Sequence, residues 1–592
     1  MKNKEKWTVC NKSGDIKSIM NNFGVTASTA RLLINRGKTT EKDIREYLFP
    51  DESMIHSPGL LRNLAEAADV IEDKLSHRKK IRVIGDYDVD GIMSTYILSD
   101  MLRILGAEAD FYIPDRIKDG YGINTEMILK AAEDGIDTIV TCDNGISAVE
   151  AAEEAKRNGI TLVVTDHHEL PEVLPDARVI VDPKYSLDTY PCRDICGAVV
   201  ASKLAAELLE REGFREKGKG SLDYIEFMAI ATICDVVPLD GENRTIASLG
   251  LKKLNNLYMT KNGEQASNIN IGLKALIDIC EIRGEINDYT IGFVIGPCLN
   301  ATGRLDLAQR AMDMLNADTP EKALKYAEIC RDYNAERKGM TLSETRKALE
   351  KLDAMEEPDK VLVVELPDCH ESLAGIIAGR IKEKYYRPTF VLTRGKEGYK
   401  GSGRSIEGYN MFGELQKCSD LFTKFGGHPM AAGLSLPEEN VPEFRKRINE
   451  LCTLTEDDMK KKVLHDVAVW ISAFDEKSIE ELRLFEPCGT GNPSPIFADR
   501  NNKLIRMRRI GKDGSYLKLT MDDSKGKRYE AVYFKDSNEI IEELCEKYGK
   551  TSVDAAFAGK ESGITLNISY VPEFNEYNGR RSIQMKIQGI MI

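Results

Sequence analysis

From Ile81 onward, short apolar runs alternate with segments of helical character, and this alternation constrains the fold more than any other feature of the chain. Five runs have the length and composition of strands: Ile81–Gly85, Asp110–Pro114, Asp137–Thr141, Ile160–Thr165 and Arg178–Val181. Strands separated by helices predict an α/β fold in which helices cover both faces of a parallel sheet.

Length and composition limit the class of protein. The 592 residues are 42% hydrophobic and 30% charged, which is typical of a globular chain with roughly three to five domains. No apolar run approaches the ~18 residues of a membrane helix, and no apolar stretch follows the basic start Met1–Trp7. We therefore expect no membrane span, no signal peptide and a cytoplasmic location.

Charge and cysteine content exclude further classes. The net charge of −14 argues against a general nucleic-acid coat, although a local basic cluster can still dock a polyanion. The thirteen cysteines have irregular spacing, which indicates reduced thiols and no disulfide framework. Cys192 and Cys196 are not followed by a second pair at finger spacing, so a zinc site is not expected.

Changes in pattern predict five parts of the chain. They are an N-terminal helical segment (1–80), an α/β domain (81–317), a connecting helix (318–356), a second α/β domain (357–455) and a small antiparallel domain (465–592). The connecting helix opens at Asp318–Pro320, with proline in its first turn, and Gly339 is a point where it could break.

Acidic residues and histidines follow the apolar runs. Asp86, Asp88 and Asp90 come directly after the first strand, and later segments repeat this placement with Asp143, Asp166-His167-His168 and Asp235. Because strand ends converge at one edge of a parallel sheet, these groups are expected to meet in one cleft. Clustered acids repel one another unless cations lie between them. Oxygen ligands with a histidine suit Mn²⁺ or Mg²⁺, and two such ions could clamp a phosphoryl displacement.

Simpler interpretations exist for each of these residues. Asp-x-Asp-x-Asp-Gly also opens a calcium-binding EF-hand loop, but the twelfth position, which needs Glu, is Ile97, and a strand precedes the motif. Taken singly, Asp143 could be a turn residue, and Asp235 could cap a turn. The signal lies in their order and their common placement.

Together these motifs resemble those of the DHH phosphoesterase superfamily. Further segments are similar to the RecJ family of single-strand-specific DNA exonucleases: Gly120–Gly122, Asn300–Arg304, Gly401–Ser405 and Phe425–Gly433. The resemblance runs from Trp7 to the C-terminus. It implies a 5′→3′ exonuclease that uses Mn²⁺ or Mg²⁺, releases mononucleotides and acts in DNA repair and recombination. The parts become a DHH catalytic domain, a DHH-associated domain and a C-terminal OB-type barrel.

The resemblance assigns roles position by position. The implied metal ligands are Asp88, Asp90, Asp143, His167 and Asp235, with Asp86 as a further acid of the RecJ branch. Asp166 would orient a neighbouring ligand or histidine, His168 would face the scissile phosphate, and Arg116 would assist there. Ile84 stands where pyrophosphatase relatives carry a metal-binding histidine, which argues against that branch.

Other residues are implied to face the DNA. They are Asn300, Arg304, Ser402, Arg404, Ser405 and His428. Arginine donates two hydrogen bonds to phosphate, and the glycines around these residues let backbone amides approach an anion. Ordinary surface arginines and a buried, satisfied His428 are the alternatives.

The C-terminal domain combines basic and aromatic residues. Lys503, Arg506, Arg508, Arg509 and Lys512 precede Tyr516, Tyr529, Tyr533 and Phe534. Such a combination suits single-strand binding on an OB-type barrel, although some aromatics must form its core. The sequence does not say which ones stack on bases.

Two other functions remain open. One is a DHH phosphodiesterase for short oligonucleotides or signalling nucleotides, against which the residues beyond 465 argue. The other is a non-catalytic replication-fork scaffold, against which the full set of acids and histidines argues. We expect a monomer that binds single-stranded DNA, with single-strand-binding protein and a repair helicase as candidate partners.

Overall fold

A computed structural model describes residues 5–116, 118–185, 189–211, 221–259, 269–355, 357, 359–395, 398–577 and 580–592. The chain forms two compact units. The first contains Asp51–Lys461 and Gly489–Gly491, and the second contains Glu5–Pro50, Lys462–Cys488 and Asn492–Ile592. None of the helices in these ranges is long and apolar enough to cross a membrane.

The N-terminal residues Glu5–Pro50 form one strand and three helices of the second unit. They are β1 (Lys6–Val9), α1 (Ile16–Phe23), α2 (Ala27–Asn35) and α3 (Glu41–Leu48). The helices agree with the helical character expected of residues 1–80, whose bounds stay a prediction, whereas the strand was not predicted.

The first unit begins with a five-stranded parallel sheet in the order β3-β2-β4-β5-β6. Its strands are β2 (Ile81–Ile84), β3 (Ala109–Tyr112), β4 (Thr138–Cys142), β5 (Thr161–Thr165) and β6 (Val179–Val181). The accompanying helices are α4 (Leu64–Ser76), α5 (Val89–Ile104), α6 (Thr125–Glu133), α7 (Val149–Arg157), α8 (Gly197–Arg211), α9 (Ile225–Cys234) and α10 (Gly241–Tyr258).

Side chains of this sheet alternate between two cores. Val83 and Val140 pack on one face, and Ile84 and Ile139 pack on the other. Because helices cover both faces of the sheet, most residues of each strand are apolar instead of alternating with polar residues. The predicted parallel sheet is thereby confirmed.

A second group of helices leads from this sheet to the next. They are α11 (Ile271–Ile279), α12 (Asp288–Thr290), a π-helical segment (Ile291–Ile295), α13 (Gly296–Leu305), α14 (Gln309–Leu315) and α15 (Pro320–Asp353). The α15 helix starts where Pro320 predicted, with Thr319 accepting a hydrogen bond from the Lys322 N–H. It runs through Gly339 without a break, because one interior glycine costs a helix only about 1 kcal/mol.

The second α/β part of the first unit has the sheet order β10-β11-β9-β8-β7. Its strands are β7 (Leu362–Glu365), β8 (Thr389–Arg394), β9 (Tyr399–Arg404), β10 (Lys424–His428) and β11 (Ala431–Leu436), and its helices are α16 (Ala374–Tyr385), α17 (Met411–Gln416) and α18 (Val441–Glu450). Only β7 and β8 run parallel among these neighbours.

The C-terminal part of the second unit is a closed five-stranded barrel. The barrel strands are β14 (Phe497–Ile510), β15 (Tyr516–Asp522), β16 (Arg528–Tyr533), β17 (Thr565–Tyr577) and β18 (Arg580–Met591). Two further strands, β12 (Lys462–His465) and β13 (Val467–Ala468), precede them in sequence, and the helices are α19 (Glu476–Leu482), α20 (Ser537–Tyr548) and α21 (Lys550–Phe557). Pairing of β14 with β17 closes the ring β14-β15-β16-β18-β17. Strand β1 pairs with β12. The predicted barrel is confirmed.

Candidate active site

The turn from β2 into α5 carries the first three acids. Asp88 is the N-cap of α5, and its carboxylate accepts a hydrogen bond from the N–H three residues on, at 3.0 Å. Asp90, in the first turn, accepts hydrogen bonds from the N–H groups of Gly197 and Ala198 at 2.6 and 2.8 Å. These N–H groups begin α8, so the helix dipole stabilises the buried carboxylate. The fold thus fixes Asp90 in one orientation.

Asp143 follows β4 in a left-handed backbone conformation, with φ of 61°. A Cβ atom at Gly197 would lie 2.7 Å from the Cβ of Asp143. Only glycine permits this approach, which brings the start of α8 against the end of β4. The glycine therefore helps to close the acidic cluster.

His167 joins acids from three segments. Its Nε2 atom lies 3.0 Å from Oδ1 of Asp143, 3.5 Å from Oδ2 of Asp90 and 3.9 Å from Oδ2 of Asp235. Asp235 comes from the C-terminal end of α9, not from a strand. A second group, Asp86, Asp88 and Asp143, offers ligand atoms within 4.8 Å of one another. The predicted convergence of these side chains is present.

Crowding of the acids opposes their ionisation. Burial, followed by the charge of Asp88, raises the pKa of Asp86 to about 8. Burial, followed by the charge of Asp90, raises the pKa of Asp235 to about 8. The pKa of Asp143 also rises well above its usual value because of burial and neighbouring acids. Bound cations would reverse these shifts by favouring the carboxylates.

The donor set fits a divalent metal. Oδ1 of Asp86 is buried and accepts no hydrogen bond from any residue that the structure describes. Burial lowers the pKa of His167, which favours the neutral, metal-binding imidazole. Carboxylate oxygens with one imidazole nitrogen suit Mn²⁺ or Mg²⁺.

Asp166 positions both histidines. Its Oδ1 atom accepts hydrogen bonds from the His167 N–H and from Nδ1 of His168, each at 2.7 Å, while Oδ2 accepts the Ile146 N–H at 2.9 Å. Burial disfavours the imidazolium of His168, but Asp166 and the surrounding acids raise its pKa to about 9. Burial likewise opposes the charge on Asp166, yet the hydrogen bond from His168 lowers its pKa.

Tyr121 is a neighbour of the site to which sequence reasoning assigned no role. Its hydroxyl lies 3.0 Å from Nε2 of His168, and its side chain is exposed. The Gly120–Gly122 motif drew attention to the segment but not to this contact.

Arginines from separate segments cluster beside the acids. Burial and then the charges of Arg116 and Arg337 lower the pKa of Arg304 to about 10. Burial and then Arg116 lower the pKa of Arg404. In the described part of the chain, none of these four arginines forms an ion pair with an acid. A cluster of unpaired cations attracts phosphate.

Arg337 is the member that sequence reasoning missed. It lies on α15 and donates a hydrogen bond to Oδ1 of Asn334 at 2.8 Å. Only its proximity to Arg304 in the folded protein indicates a role for Arg337, because the sequence of α15 has the pattern of a charged connecting helix. Arg304 itself donates to the carbonyl of Ser372 at 2.8 Å, which ties α13 to the turn before α16.

The remaining DNA-facing candidates divide into two groups. Asn300 is half-buried one turn before Arg304 on α13, and Ser402 lies 3.4 Å from Nη1 of Arg404. A cavity of about 410 Å³ is lined by Arg116, Ser402, Lys400, Lys424 and Phe425, among other residues. Ser402 is thus brought to the arginine cluster, and Asn300 shares helix α13 with Arg304.

Ser405 and His428 are placed differently. The Ser405 hydroxyl is buried and donates to the Tyr409 carbonyl at 2.7 Å, so it points into the fold. His428 is exposed at the end of β10, which excludes the alternative of a buried, satisfied histidine. The positions of these two residues do not test DNA binding, which stays a prediction for both.

Comparison with known families gives three matches along the chain. Residues 80–232 match the DHH family, N-terminal domain; residues 359–454 match the DHHA1 domain; and residues 465–589 match the RecJ OB domain. The order agrees with the predicted parts, although the exact predicted bounds stay a prediction.

Individual relatives extend this match to nearly the whole chain. The single-stranded-DNA-specific exonuclease RecJ of Bacillus subtilis is 35% identical over 99% of this chain and 70% of its own length. That of Haemophilus influenzae is 32% identical over 91% of this chain and 92% of its own length. The crystal structure of RecJ in complex with Mn²⁺ from Thermus thermophilus is 26% identical, with a TM-score of 0.81, and covers 100% of this chain and 80% of that one. The chain therefore belongs to the RecJ family of single-stranded-DNA-specific exonucleases.

Proposed function

We propose that this protein hydrolyses single-stranded DNA from its 5′ end, releases mononucleotides and acts in DNA repair and recombination. The observation that carries the proposal is the position of His167 Nε2, within 3.9 Å of acids from three segments and beside a cluster of unpaired arginines. Phosphodiester hydrolysis of this kind requires a metal-binding cluster and, beside it, a surface that binds phosphate. Family membership supports the exonuclease activity and its single-stranded substrate.

The acidic cluster would hold two divalent ions. The proposed ligands are Asp86, Asp88, Asp90, Asp143, His167 and Asp235. The Thermus relative has structures in complex with Mn²⁺ and with Mg²⁺, which supports either ion here. When bound, such ions polarise a phosphodiester and lower the pKa of a water nucleophile.

His168 would stabilise the negative charge of the reacting phosphate. With its pKa raised to about 9, the imidazole is protonated at neutral pH before metal binds. Asp166 holds Nδ1, so Nε2–H is the group that can donate to a phosphate oxygen. In the DNA-free protein the Tyr121 hydroxyl accepts a hydrogen bond from this same Nε2–H, which a phosphate oxygen would have to share or replace.

The arginine cluster would set the direction of digestion. Arg116, Arg304 and Arg404 would bind a terminal phosphate together with Ser402. A phosphate held at a fixed place beside the metals allows only the first phosphodiester to reach them. Asn300 and His428 are proposed to contact the adjoining strand, and the buried Ser405 would support this segment through its hydrogen bond to the Tyr409 carbonyl.

The barrel would add affinity for the DNA strand. Tyr516 and Phe534 are 38% and 47% exposed and pack edge to face at 5.4 Å, whereas Tyr533 is buried in the barrel. Exposed aromatic rings near Arg506 and Arg508 suit base stacking and phosphate contact. A monomer, a single-strand-binding protein partner and a helicase partner remain part of the proposal.

A time course with labelled DNA tests the direction and the substrate. Single- and double-stranded DNA would carry a label at the 5′ or the 3′ end, with Mn²⁺, Mg²⁺ or chelator. Early release of the 5′ label as a mononucleotide from single strands is expected, with no cleavage in chelator. Early release of the 3′ label would contradict the direction, and activity confined to two- to five-nucleotide substrates would favour a short-oligonucleotide phosphodiesterase.

Variants separate catalysis from binding. Asp143→Ala and Asp235→Ala should abolish cleavage and leave strand binding largely intact, because neither acid belongs to the arginine cluster. Asp176→Ala is the matched control, since Asp176 is an exposed acid paired with Lys156. Wild-type digestion by either site variant would make the metal assignment wrong. Absence of metal-dependent hydrolysis in the wild-type protein would instead favour the non-catalytic scaffold.

A further inference from the structure

Two cysteines outside the metal centre lie in contact. Cys280 follows the last residue of α11, and Cys298 lies in the first turn of α13. Their Sγ atoms are 3.8 Å apart, and both are free thiols. Nothing in the irregular spacing of the thirteen cysteines marks these two as a pair.

The two thiols differ in exposure. Cys280 is half-buried, whereas Cys298 is 1% exposed. A reagent can therefore reach Cys280 first, and Cys298 is placed to react with it from inside the fold. This division of roles is typical of an accessible thiol with a resolving partner.

The surroundings favour one thiolate in the pair. A hydrogen bond from Cys280 lowers the pKa of Cys298, burial opposes the change, and Asn334 and Lys338 add to it. The same hydrogen bond, followed by burial, raises the pKa of Cys280, while Arg331 and Lys338 oppose that rise. Together these shifts place the thiolate on Cys298, so Cys280 becomes the nucleophile when it passes its proton to Cys298 across the shared hydrogen bond. Since the thiolate is the nucleophile in exchange reactions, the pair is suited to oxidation.

We propose that Cys280 and Cys298 are a reversible modification site, at which a small-molecule disulfide oxidises them to an intramolecular disulfide that inhibits DNA hydrolysis. Cys280 first attacks the reagent disulfide, forms a mixed disulfide and releases one thiol. Cys298 then attacks Sγ of Cys280, breaks the mixed disulfide and releases the second thiol. Two protein thiols are oxidised and one reagent disulfide is reduced to two thiols, whose sulfurs take up the two protons.

Bond formation would disturb the phosphate-binding surface. The Sγ atoms must approach from 3.8 Å to about 2.05 Å, through rotation of the two side chains or a shift of α13 against the end of α11. Helix α13 carries Asn300 and Arg304, and Asn334 joins Cys298 to Arg337 through two hydrogen bonds. A displacement near 1 Å in such positioning groups lowers the rate by on the order of 10²-fold.

Peptide mapping tests the modification itself. The full-length protein, without metal or DNA, would be treated with oxidised glutathione, alkylated and digested. A peptide pair joined through Cys280 and Cys298 is expected, and dithiothreitol should remove it. Failure to form that link, or a link from either residue to the buried Cys330 instead, would overturn the proposal.

Nuclease assays test the regulatory effect, which rests on the proposed function. Oxidised wild-type protein should lose activity on the order of 10²-fold, and dithiothreitol should restore it. Cys280→Ser and Cys280→Ala should keep full activity and resist the oxidant, while Cys545→Ser, at another half-buried cysteine, should respond like wild type. An equal loss in Cys280→Ser, or a mapped link without loss, would overturn the regulation. If the reduced protein is inactive, the proposed function fails, whereas the mapping still decides whether the disulfide forms.

Discussion

Oδ1 of Asp166 lies 2.7 Å from Nδ1 of His168, and the carboxylate that makes this contact is almost completely buried. The same carboxylate holds the His167 N–H and the Ile146 N–H, so its position does not depend on His168. The contact fixes the imidazole with Nε2 directed away from Asp166. Asp166 therefore orients both the proposed metal ligand His167 and the proposed phosphate partner His168.

Replacing Asp166 by Asn should lower the pKa of His168 from about 9 toward its usual value near 6.5. Asparagine keeps the size of the side chain but removes the negative charge that favours the imidazolium. Histidine-labelled NMR of the metal-free protein measures this pKa directly. We expect nuclease activity to fall roughly 10–100-fold, as is usual when a residue that orients a functional side chain through a hydrogen bond is replaced.

His465, whose pKa is lowered by burial, serves as the internal reference in the titration. Its midpoint should be the same in wild type and in Asp166→Asn. An unchanged His168 midpoint would contradict the role given to Asp166, even if activity fell.

Stability of the metal-free protein should fall as pH rises from about 4 to about 8. The folded protein holds protons on Asp86 and Asp235, whose pKa values are about 8, while the unfolded chain has released them near pH 4. The folded state therefore binds more protons in this window, and the unfolding free energy decreases with pH. Thermal denaturation in chelator, repeated with Mn²⁺, measures the effect, and Mn²⁺ should stabilise most near pH 8.

Asp86→Asn should flatten this pH dependence and raise the melting temperature at pH 8, because one buried charge is removed. Asp176→Asn, at an exposed acid, should retain the wild-type slope. A slope unchanged in Asp86→Asn would show that this carboxyl does not hold its proton as inferred.

Gly375→Ala should weaken binding of the strand terminus without unfolding the protein. The added Cβ would lie 2.7 Å from Nη2 of Arg404 and 2.9 Å from Oγ of Ser402, so the flexible arginine must move. We expect a roughly tenfold rise in KM for 5′-phosphorylated strands, which corresponds to about 1.4 kcal/mol.

Gly379→Ala is the control on the same helix, because nothing lies within 4 Å of its added Cβ. It should match wild type in KM, and neither variant should melt below wild type, because alanine favours a helix interior over glycine. Equal KM values for the two variants would contradict the placement of Arg404 in the phosphate site.

Tyr516→Ala and Phe534→Ala should each weaken binding of long single strands by about 1–3 kcal/mol if the ring stacks on a base. Hydrolysis of very short strands should change little, because their binding depends on the catalytic site alone. Fluorescence anisotropy with labelled DNA measures the affinity. Phe49→Ala replaces another exposed aromatic of the same unit and should have no effect; equal losses in all three would contradict a specific stacking role.

Much of the fold follows from local pattern. The strands near Ile81 and Ile160 were predictable because buried parallel strands are continuously apolar, and the start of α15 followed from Thr319 and Pro320. Strand β1 was missed because it depends on pairing with β12, more than 450 positions away, a contact that no local pattern encodes.

The site was predictable to the extent that acids follow strands. Asp86 and Asp143 meet because the strands they follow end at the same edge of the sheet. Asp235 instead follows a helix, and only its order among the family motifs predicted that it joins the site. The contributions of Tyr121 and Arg337 depend on side-chain proximity across separate segments, so no local pattern signals either role.

The most direct test of the metal centre is anomalous diffraction from a crystal soaked in Mn²⁺. Two manganese peaks should lie among the carboxylates of Asp88, Asp90, Asp143 and Asp235 and the imidazole of His167, separated by about 4 Å. A soaked crystal with no manganese among these side chains would contradict the proposed chemistry.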